Sequence, residues 1–442
     1  MGKIIFIRPN FADFRSRDAM TPLAFAILSA MTPDGMETVL MDERVEPVTY
    51  EDASLVALSV ETFTARRAYE IAAEYRRRGI PVVMGGHHPT LLPDEASRHC
   101  DAVVIGDAEQ VWEQVVQDAV KGRLKPVYKA DDDTRRKAEN LKFKANHSIF
   151  KGKKYAPLSL IQAGRGCRFV CDFCSVHAFY GHNLRLRPIE DIIREIRTLP
   201  RNRLIFFVDD NLFSSRDYLS RLLRALAPLK LKWCCQISLD VSRDEALLDE
   251  MREAGCMLVL IGFESLEREN LVQMKKKWNG NGEYDAAVRR FHERGIMIYG
   301  TFVFGYDADN ADSFGAAAEF ALRANLCIAN FNPLTPTPGT ALYERLKREN
   351  RLLYEKWWLD PSYCYGKAIF RPRGMRPEEL EEGCMRAREI FYSHSSIFKR
   401  ALRQPQIWRR PGNLKTMLLG NFISRHEIRN KHHTLLGETA SG

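Results

Sequence analysis

The sequence predicts an α/β protein: an N-terminal doubly wound parallel sheet, a second strand–helix alternation of six strands, and a helical C-terminal extension. Three observations predict it. Short apolar runs rich in Val and Ile end in glycine or acidic turns and alternate with amphipathic stretches. The alternation is interrupted by a polar connector and resumes near residue 157. Beyond about residue 345 only helical patterns recur. The 442 residues suffice for two or three domains. The divisions expected are 1–130, a linker over 131–156, 157–345 and 346–442.

In the first part, Ile4-Ile5-Phe6-Ile7 reads as a buried strand, and 21–31 as a helix with Pro22 in its first turn. Thr38-Val39-Leu40-Met41 and Leu55 to Val60 are the second and third strands, and 66–78 is an amphipathic helix. Pro81 to Met84 is a fourth strand, followed by Gly85-Gly86-His87-His88-Pro89-Thr90, and Asp101 to Ile105 is a fifth, followed by Gly106-Asp107-Ala108-Glu109. Sheets of this kind take ligands at the carboxyl ends of their strands, where these glycine turns lie. The bland reading is that glycine only makes tight turns there. The connector carries the charge run Lys129 to Lys137, by default a solvated segment.

The next strand, Pro157 to Gln162, feeds Gly166-Cys167-Arg168-Phe169-Val170-Cys171-Asp172-Phe173-Cys174. The spacing is C-x3-C-x2-C. Three thiolates suit an iron–sulfur cluster with one iron left open to a small molecule. A disulfide framework would want a secreted context; the N-terminus shows no long apolar run and no cleavage pattern, so no signal peptide is expected. A structural zinc would need a fourth ligand, His177 or His182, at an unusual spacing.

This loop resembles the signature of the radical S-adenosylmethionine (SAM) superfamily. The resemblance implies that Cys167, Cys171 and Cys174 hold a [4Fe–4S] cluster whose open iron chelates SAM, that SAM is cleaved reductively to a 5′-deoxyadenosyl radical, and that Phe173 packs near the adenine. The order of elements and the loops Gly85-Gly86 and Gly106 to Glu109 resemble the cobalamin-binding domain that precedes the barrel in one class of the family. It implies cobalamin contacts at Gly85, Gly86, Gly106 and Glu109. One departure stands out: Asp42-Glu43-Arg44-Val45-Glu46 lacks the histidine of D-x-H-x-x-G, so cobalamin would bind without that lower ligand. His87 and His88 are tempting substitutes, although a histidine in such a turn more often packs or hydrogen-bonds.

The remaining strands are 204–208, 232–237, 257–261, 297–304 and 328–331. With the first they make six and fit the partial (β/α)6 barrel of the family, whose active site lies past the strand ends. By resemblance Asp209 and Asp210 face the methionine amino group of SAM, and Gln236, Ser238 and Asp240 its ribose or carboxylate. Gly262-Phe263-Glu264-Ser265 resembles the fourth-strand G-x-E-S signature, and 300–305 a segment near adenine. Any one of these acids can equally be a helix cap or a surface ion pair. Cys234, Cys235, Cys256 and Cys327 read as buried packing residues. Cys364, Cys384 and Tyr365 carry no spacing that marks a site.

The C-terminal extension contains a clear helix at 377–391, and the stretch from Lys399 onward is rich in Lys, Arg and His. Its plain reading is a solvated tail ending in a disordered 438–442; contact with an anionic membrane surface, contact with RNA, or closure of the barrel mouth are the alternatives. The formal charge is +9, yet no nucleic-acid module accompanies it, so nucleic acid is not the expected partner. No apolar stretch is long enough to span a membrane, and ten cysteines without a secretion signal suggest a reducing cytoplasm. The expected function is cobalamin-dependent methyl transfer to an unactivated carbon or phosphorus centre of a small-molecule or lipid-like substrate, with flavodoxin or ferredoxin as electron donor. Oxidative cyclisation of the anaerobic tetrapyrrole-cyclase type, or a non-catalytic iron–sulfur protein, are the alternatives.

Overall fold

Fully apolar strand runs demand cover on both faces, and the first sheet of this chain has it. The computed structural model describes residues 2–12, 15–130, 141–276, 279, 283–403 and 411–437. The first sheet contains β1 (Gly2–Arg8), β2 (Met36–Asp42), β3 (Leu55–Ser59), β4 (Val82–Gly85), β5 (Ala102–Ile105) and β6 (Val127–Lys129). Its order is β2-β1-β3-β4-β5-β6, all parallel. The order in which strands are added reverses between β1 and β3, the switch point at which such sheets leave a crevice. One face packs on helix Ala65–Arg77 and on Trp357 and Trp358 from the C-terminal part; the other packs on helices Leu23–Met31 and Trp112–Val120. Strand β6 adds an edge to the five strands expected. It carries only one buried residue, Tyr128, which hides it from a hydrophobic-run search.

The second sheet runs β14-β13-β12-β11-β10-β7, again all parallel. Its strands are β7 (Leu158–Ile161), β10 (Leu204–Phe207), β11 (Trp233–Ile237), β12 (Cys256–Glu264), β13 (Met297–Phe304) and β14 (Ile328–Pro333). The strand order follows the chain after β7, as a singly wound barrel segment does. Ile205, Cys235, Val259, Ile298 and Phe331 share one core with helices such as Arg216–Leu226, Glu245–Glu253 and Ala311–Arg323. The opposite face is more open: Gln236 is exposed, Leu260, Tyr299, Thr301, Val303 and Asn330 are half-buried between buried neighbours, and Asn332 is half-buried too. This period-two alternation marks the bore. Between β7 and β10 lies a small antiparallel hairpin, β8 (Gly164–Arg165) with β9 (Arg185–Leu186), which the sequence reading did not anticipate.

The C-terminal part departs from the expected solvated tail. Helices His394–Arg403 and Pro411–Lys431 are docked: Ala401 and Met417 are buried with Cys234, Met257, Met297 and Cys327. The charge run beyond Lys129, the stretch 404–410 and the end 438–442 lie outside the described residues. Arg400, 2% exposed, donates to the carbonyls of Leu326 and Cys327 (both 2.9 Å), to that of Phe391 (3.1 Å) and to Asn421 Oδ1 (2.8 Å). It fastens the last two helices to the start of β14. Arg400→Met should destabilise by roughly 3 kcal/mol, because buried carbonyls lose their donor. The expected readout is a lowered thermal-unfolding midpoint, with the exposed Leu402→Ser leaving it within about 0.5 kcal/mol of native.

Candidate functional site

The site begins at the carboxyl end of β7. Gly166 has φ +90, and a Cβ there would meet the Asn183 carbonyl at 2.1 Å, so only glycine fits beneath the hairpin. Its N–H donates to Asp210 Oδ2 (2.9 Å). The loop that follows brings Cys167, Cys171 and Cys174 together, each half-buried. Burial pushes the Cys171 thiol up to about 12, against the nearby Lys276 ammonium, and raises Cys174 against the amides of His177 and Val176. Asn211 Nδ2 points at Cys167 Sγ (3.7 Å). These N–H donors and this ammonium favour thiolates, which a buried loop holds only when metal binds. The residues therefore fit a thiolate-held cluster. Among the described residues no three His, Cys, Asp or Glu side chains close on a single ion; a polynuclear cluster spaces its thiolates more widely. His177, one alternative zinc ligand, lies 3.3 Å through Nδ1 from the Gly181 carbonyl and rests its ring on His182, the other.

Around the loop, strand-end residues are engaged with one another. Asp209 Oδ2 accepts from Ala163 N (3.0 Å), buttressing the turn after β7. Gln236 Nε2 donates to the Asp210 carbonyl (3.1 Å), and Ser238 is joined to Asn211 through both its N–H and its hydroxyl (3.2 Å each). Asp240 pairs with Arg168 of the cysteine loop. Phe173 packs edge-on to Tyr306, whose hydroxyl donates to Asp172 (2.5 Å). Glu264 adopts a left-handed φ of +65 where the β12–β13 register shifts, and its Oε1 accepts from Lys276 Nζ at 2.6 Å. The space over Gly262 is filled by that carboxylate, 2.0 Å from where a Cβ would stand. Ser265 Oγ accepts from Glu267 N and Asn270 Nδ2 (3.0 and 3.2 Å). Asn211, Lys276, Arg168 and Tyr306 were missed as site residues. Asn211 adjoins the Asp209-Asp210 pair and Arg168 stands inside the cysteine loop, so both were within reach of the sequence reading; Lys276 and Tyr306 come in through the fold.

Facing the loop is the first sheet. A cavity of about 250 Å³ opens between the two sheets. Its depth is apolar, with Leu23, Ile27, Ala57, Val83, Val104 and Trp112; its mouth carries His87, Asp107, Glu109, Gln162, Arg165 and Tyr180. Gly85, Gly86 and Gly106 line it too. Gly86 has φ +104 and approaches the Val60 carbonyl so closely that a Cβ would stand 2.9 Å away. A deep apolar slot with a polar rim at strand carboxyl ends fits the nucleotide end of a large cofactor such as cobalamin. Glu109 and Asp107 are ion-paired with Arg165, and Asp107 also with Arg185, so the rim is tied to the β8–β9 hairpin. Of the two histidines, His87 lines the cavity against Phe179 (4.7 Å), whereas His88 is fully buried and hydrogen-bonds Tyr69 and Glu95. The segment after β2 is occupied too: Asp42 accepts from Tyr155 (3.0 Å) and Glu43 pairs with Arg67 (2.7 Å).

Asp209 supplies a pH test. Burial pushes its carboxyl up to about 7, with Asp210 adding and the Ala163 and Gly164 amides opposing. The folded state then holds this proton more tightly than the unfolded one, so the stability it supports is lost as pH rises from the ordinary carboxylate range through about 7. Asp209→Asn should flatten that fall, so its thermal midpoint relative to native rises across this window.

Comparisons with known proteins agree with this architecture. The Radical SAM superfamily model matches residues 161–321, the B12 binding domain residues 15–116, and a domain of unknown function (DUF4070) residues 340–435. The bacteriochlorophyllide d C-12(1)-methyltransferase of Chlorobaculum tepidum is 33% identical over 88% of this chain and 86% of its own. The anaerobic magnesium-protoporphyrin IX monomethyl ester cyclase of Cereibacter sphaeroides is 24% identical over 93% and 68%. In fold the chain resembles the radical SAM methyltransferase TsrM of Kitasatospora setae, solved with cobalamin and a [4Fe-4S] cluster (TM-score 0.63, 17% identity, 86% of this chain and 81% of that one). The chain belongs to the radical SAM superfamily, in the class that joins a B12-binding domain to the radical SAM domain, and is a cobalamin-dependent methyltransferase whose cofactors are a [4Fe–4S] cluster, SAM and cobalamin.

Proposed function

We propose that this enzyme methylates an unactivated carbon of a large, mostly apolar small molecule of the tetrapyrrole kind, like the bacteriochlorophyllide substrates named for its Chlorobaculum tepidum relatives. The observation that carries the reading is a cavity onto which the strand ends of both sheets open. The bore beside it is lined by Gln236, Leu260, Tyr299, Thr301, Val303 and Asn330, none of them charged. An uncharged bore suits an apolar substrate and keeps water from reactive species.

The division proposed is 1–130 for cobalamin, 131–156 as linker, 157–345 for the cluster and SAM, and 346–442 as extension. Cys167, Cys171 and Cys174 would hold the cluster. Bound together, the three groups supply reductive cleavage of SAM and a transferable methyl. The chain's own residues fix geometry. Asp210 holds Gly166, Asp240 pins Arg168, and the Glu264–Lys276 pair stands beside Gly262. Phe173, Gln236 and Ser238 remain the proposed SAM contacts from the open side; Asp209 and Ser265 would act from behind by bracing backbone. Gly85, Gly86 and Gly106 would admit cobalamin, with Glu109 holding the rim. A small-molecule substrate and a reductant go with this chemistry, and flavodoxin or ferredoxin is the proposed donor. All ten cysteines are free, which suits a reducing cytoplasm.

Cys167→Ala, Cys171→Ala and Cys174→Ala should each abolish the cluster absorbance and 5′-deoxyadenosine formation. With methyl-labelled SAM the native enzyme should deliver one labelled methyl to product, read by mass spectrometry; loss of hydrogens without gain of methyl would mark cyclisation instead. Gly85→Leu, which builds a side chain into the cavity, should lose most of its corrinoid on gel filtration while keeping its iron and sulfide.

A further inference from the structure

A helix that exposes an apolar stripe beside its buried one offers a surface to a second partner. Helix His394–Arg403 is such a helix. Ile397 and Ala401 are buried, Ala401 against the strand starts. On the outer side Phe398 is 54% and Leu402 70% exposed. The neighbouring helix Pro411–Lys431 repeats the arrangement, with Met417 and Asn421 buried and Leu419 and Phe422 exposed. Among the described residues, five of the eight exposed large hydrophobics lie between 390 and 422: Ile390, Phe398, Leu402, Leu419 and Phe422.

These side chains form one surface. His394, Phe398 and Leu402 succeed one another at four-residue spacing, the repeat that keeps helical side chains on one side, and Ile390 closes the preceding helix Pro377–Phe391. The His394 ring lies 6.3 Å from that of Phe422, which brings the second helix alongside. Past Glu389, which is exposed beside Ile390, the charge is almost all of one sign. Residues 391–431 contain nine Lys and Arg and a single acid, Glu427. That acid is buried and spent on Arg17 N and Lys431 (both 3.0 Å). Lys399, Arg403 and Lys415 are exposed beside the apolar stripe.

We propose that this face docks the enzyme on an anionic lipid bilayer, with Phe398 and Leu402 entering the acyl boundary and the lysines and arginines meeting the headgroups. Apolar projections flanked by cations are the chemistry of interfacial helices. No helix among the described residues is long and apolar enough to cross a membrane, so the attachment is peripheral. An acidic protein reductant fits less well. The inner sides of these helices pack on the strand starts, whereas the cysteine loop lies past the strand ends, at the other end of the barrel.

The test uses the full-length protein and sedimentation with vesicles. Phosphatidylcholine and phosphatidylglycerol in equal parts should carry the native enzyme down, and phosphatidylcholine alone should leave it in solution. Each cation at an anionic surface is worth roughly fivefold in partition, so Lys399→Gln with Arg403→Gln should weaken binding roughly twenty-five-fold. Phe398→Ser with Leu402→Ser should abolish it. All these positions are exposed and remote from the cysteine loop, so both variants should form 5′-deoxyadenosine at the native rate, which keeps loss of docking apart from loss of catalysis. Equal binding to both vesicle types, or undiminished binding by both variants, overturns the proposal. So does a dimer seen by light scattering that the Phe398→Ser, Leu402→Ser variant dissolves while the native chain ignores vesicles. Capture of an acidic electron carrier through this face, without vesicle binding, overturns it as well.

Discussion

The arrangement of the whole enzyme hangs on a buried cluster of charges. Arg165 and Arg185 lie opposite each other on the two-stranded hairpin that opens the cysteine loop. They meet Asp107 and Glu109, which follow the carboxyl end of β5 in the first sheet. All four side chains are nearly excluded from water. Such a cluster recovers little net stability, since desolvating the ions costs about what their attraction returns. Its effect is registry. An Arg shifted by one residue would leave a bare carboxylate in the interface, at a penalty of several kcal/mol, so the first sheet has one position over the barrel. The cavity mouth, the cysteine loop and the glycine turns are thereby brought to one place.

The same interaction shows how far the sequence can be read. Nearly every strand was visible as a hydrophobic run closed by glycine or acid, because a sheet covered on both faces needs uninterrupted apolar residues. The cysteines were visible because ligand spacing is local. Glu109 lines the cavity mouth, and its carboxylate meets an arginine 56 residues away. Asp240 finds Arg168 across 72 residues. Partnerships at such distances are decided by the fold, and nothing near either residue in the chain announces them. The docked C-terminal helices were hidden for a related cause. Arg400 reads as a solvated cation until its carbonyl partners are seen.

Glu264 shows a local conflict resolved by its surroundings. A non-glycine residue at φ +65 is strained, and such strain persists only where neighbours over-determine it. Here the register shift of β12 turns the carboxylate back over Gly262, where Lys276 Nζ bonds both Glu264 Oε1 (2.6 Å) and the Gly262 carbonyl (2.8 Å). The glycine of the G-x-E-S pattern is therefore required by the glutamate two residues later. The same Lys276 pulls against the burial that raises the Cys171 thiol, so the strained turn and the cluster loop share one ammonium.

Charge is distributed with a consistent logic along the barrel. Acids and bases crowd the loop end, each with a partner or a backbone amide, while the inner strand side chains beneath are uncharged and Arg388 reaches in to Asn332 (2.7 Å). A reactive species formed at the thiol loop would face Tyr299, Asn330 and aliphatic side chains, with no ionised group on the inner strand positions between. The far end is sealed by Arg400 and the C-terminal helices, whose buried sides face the strand starts and whose exposed sides are apolar and cationic. One set of helices thus serves two demands that sequence composition merges into a single basic tail. It closes the barrel against water, and it gives the enzyme an outer face unlike the rest of its surface.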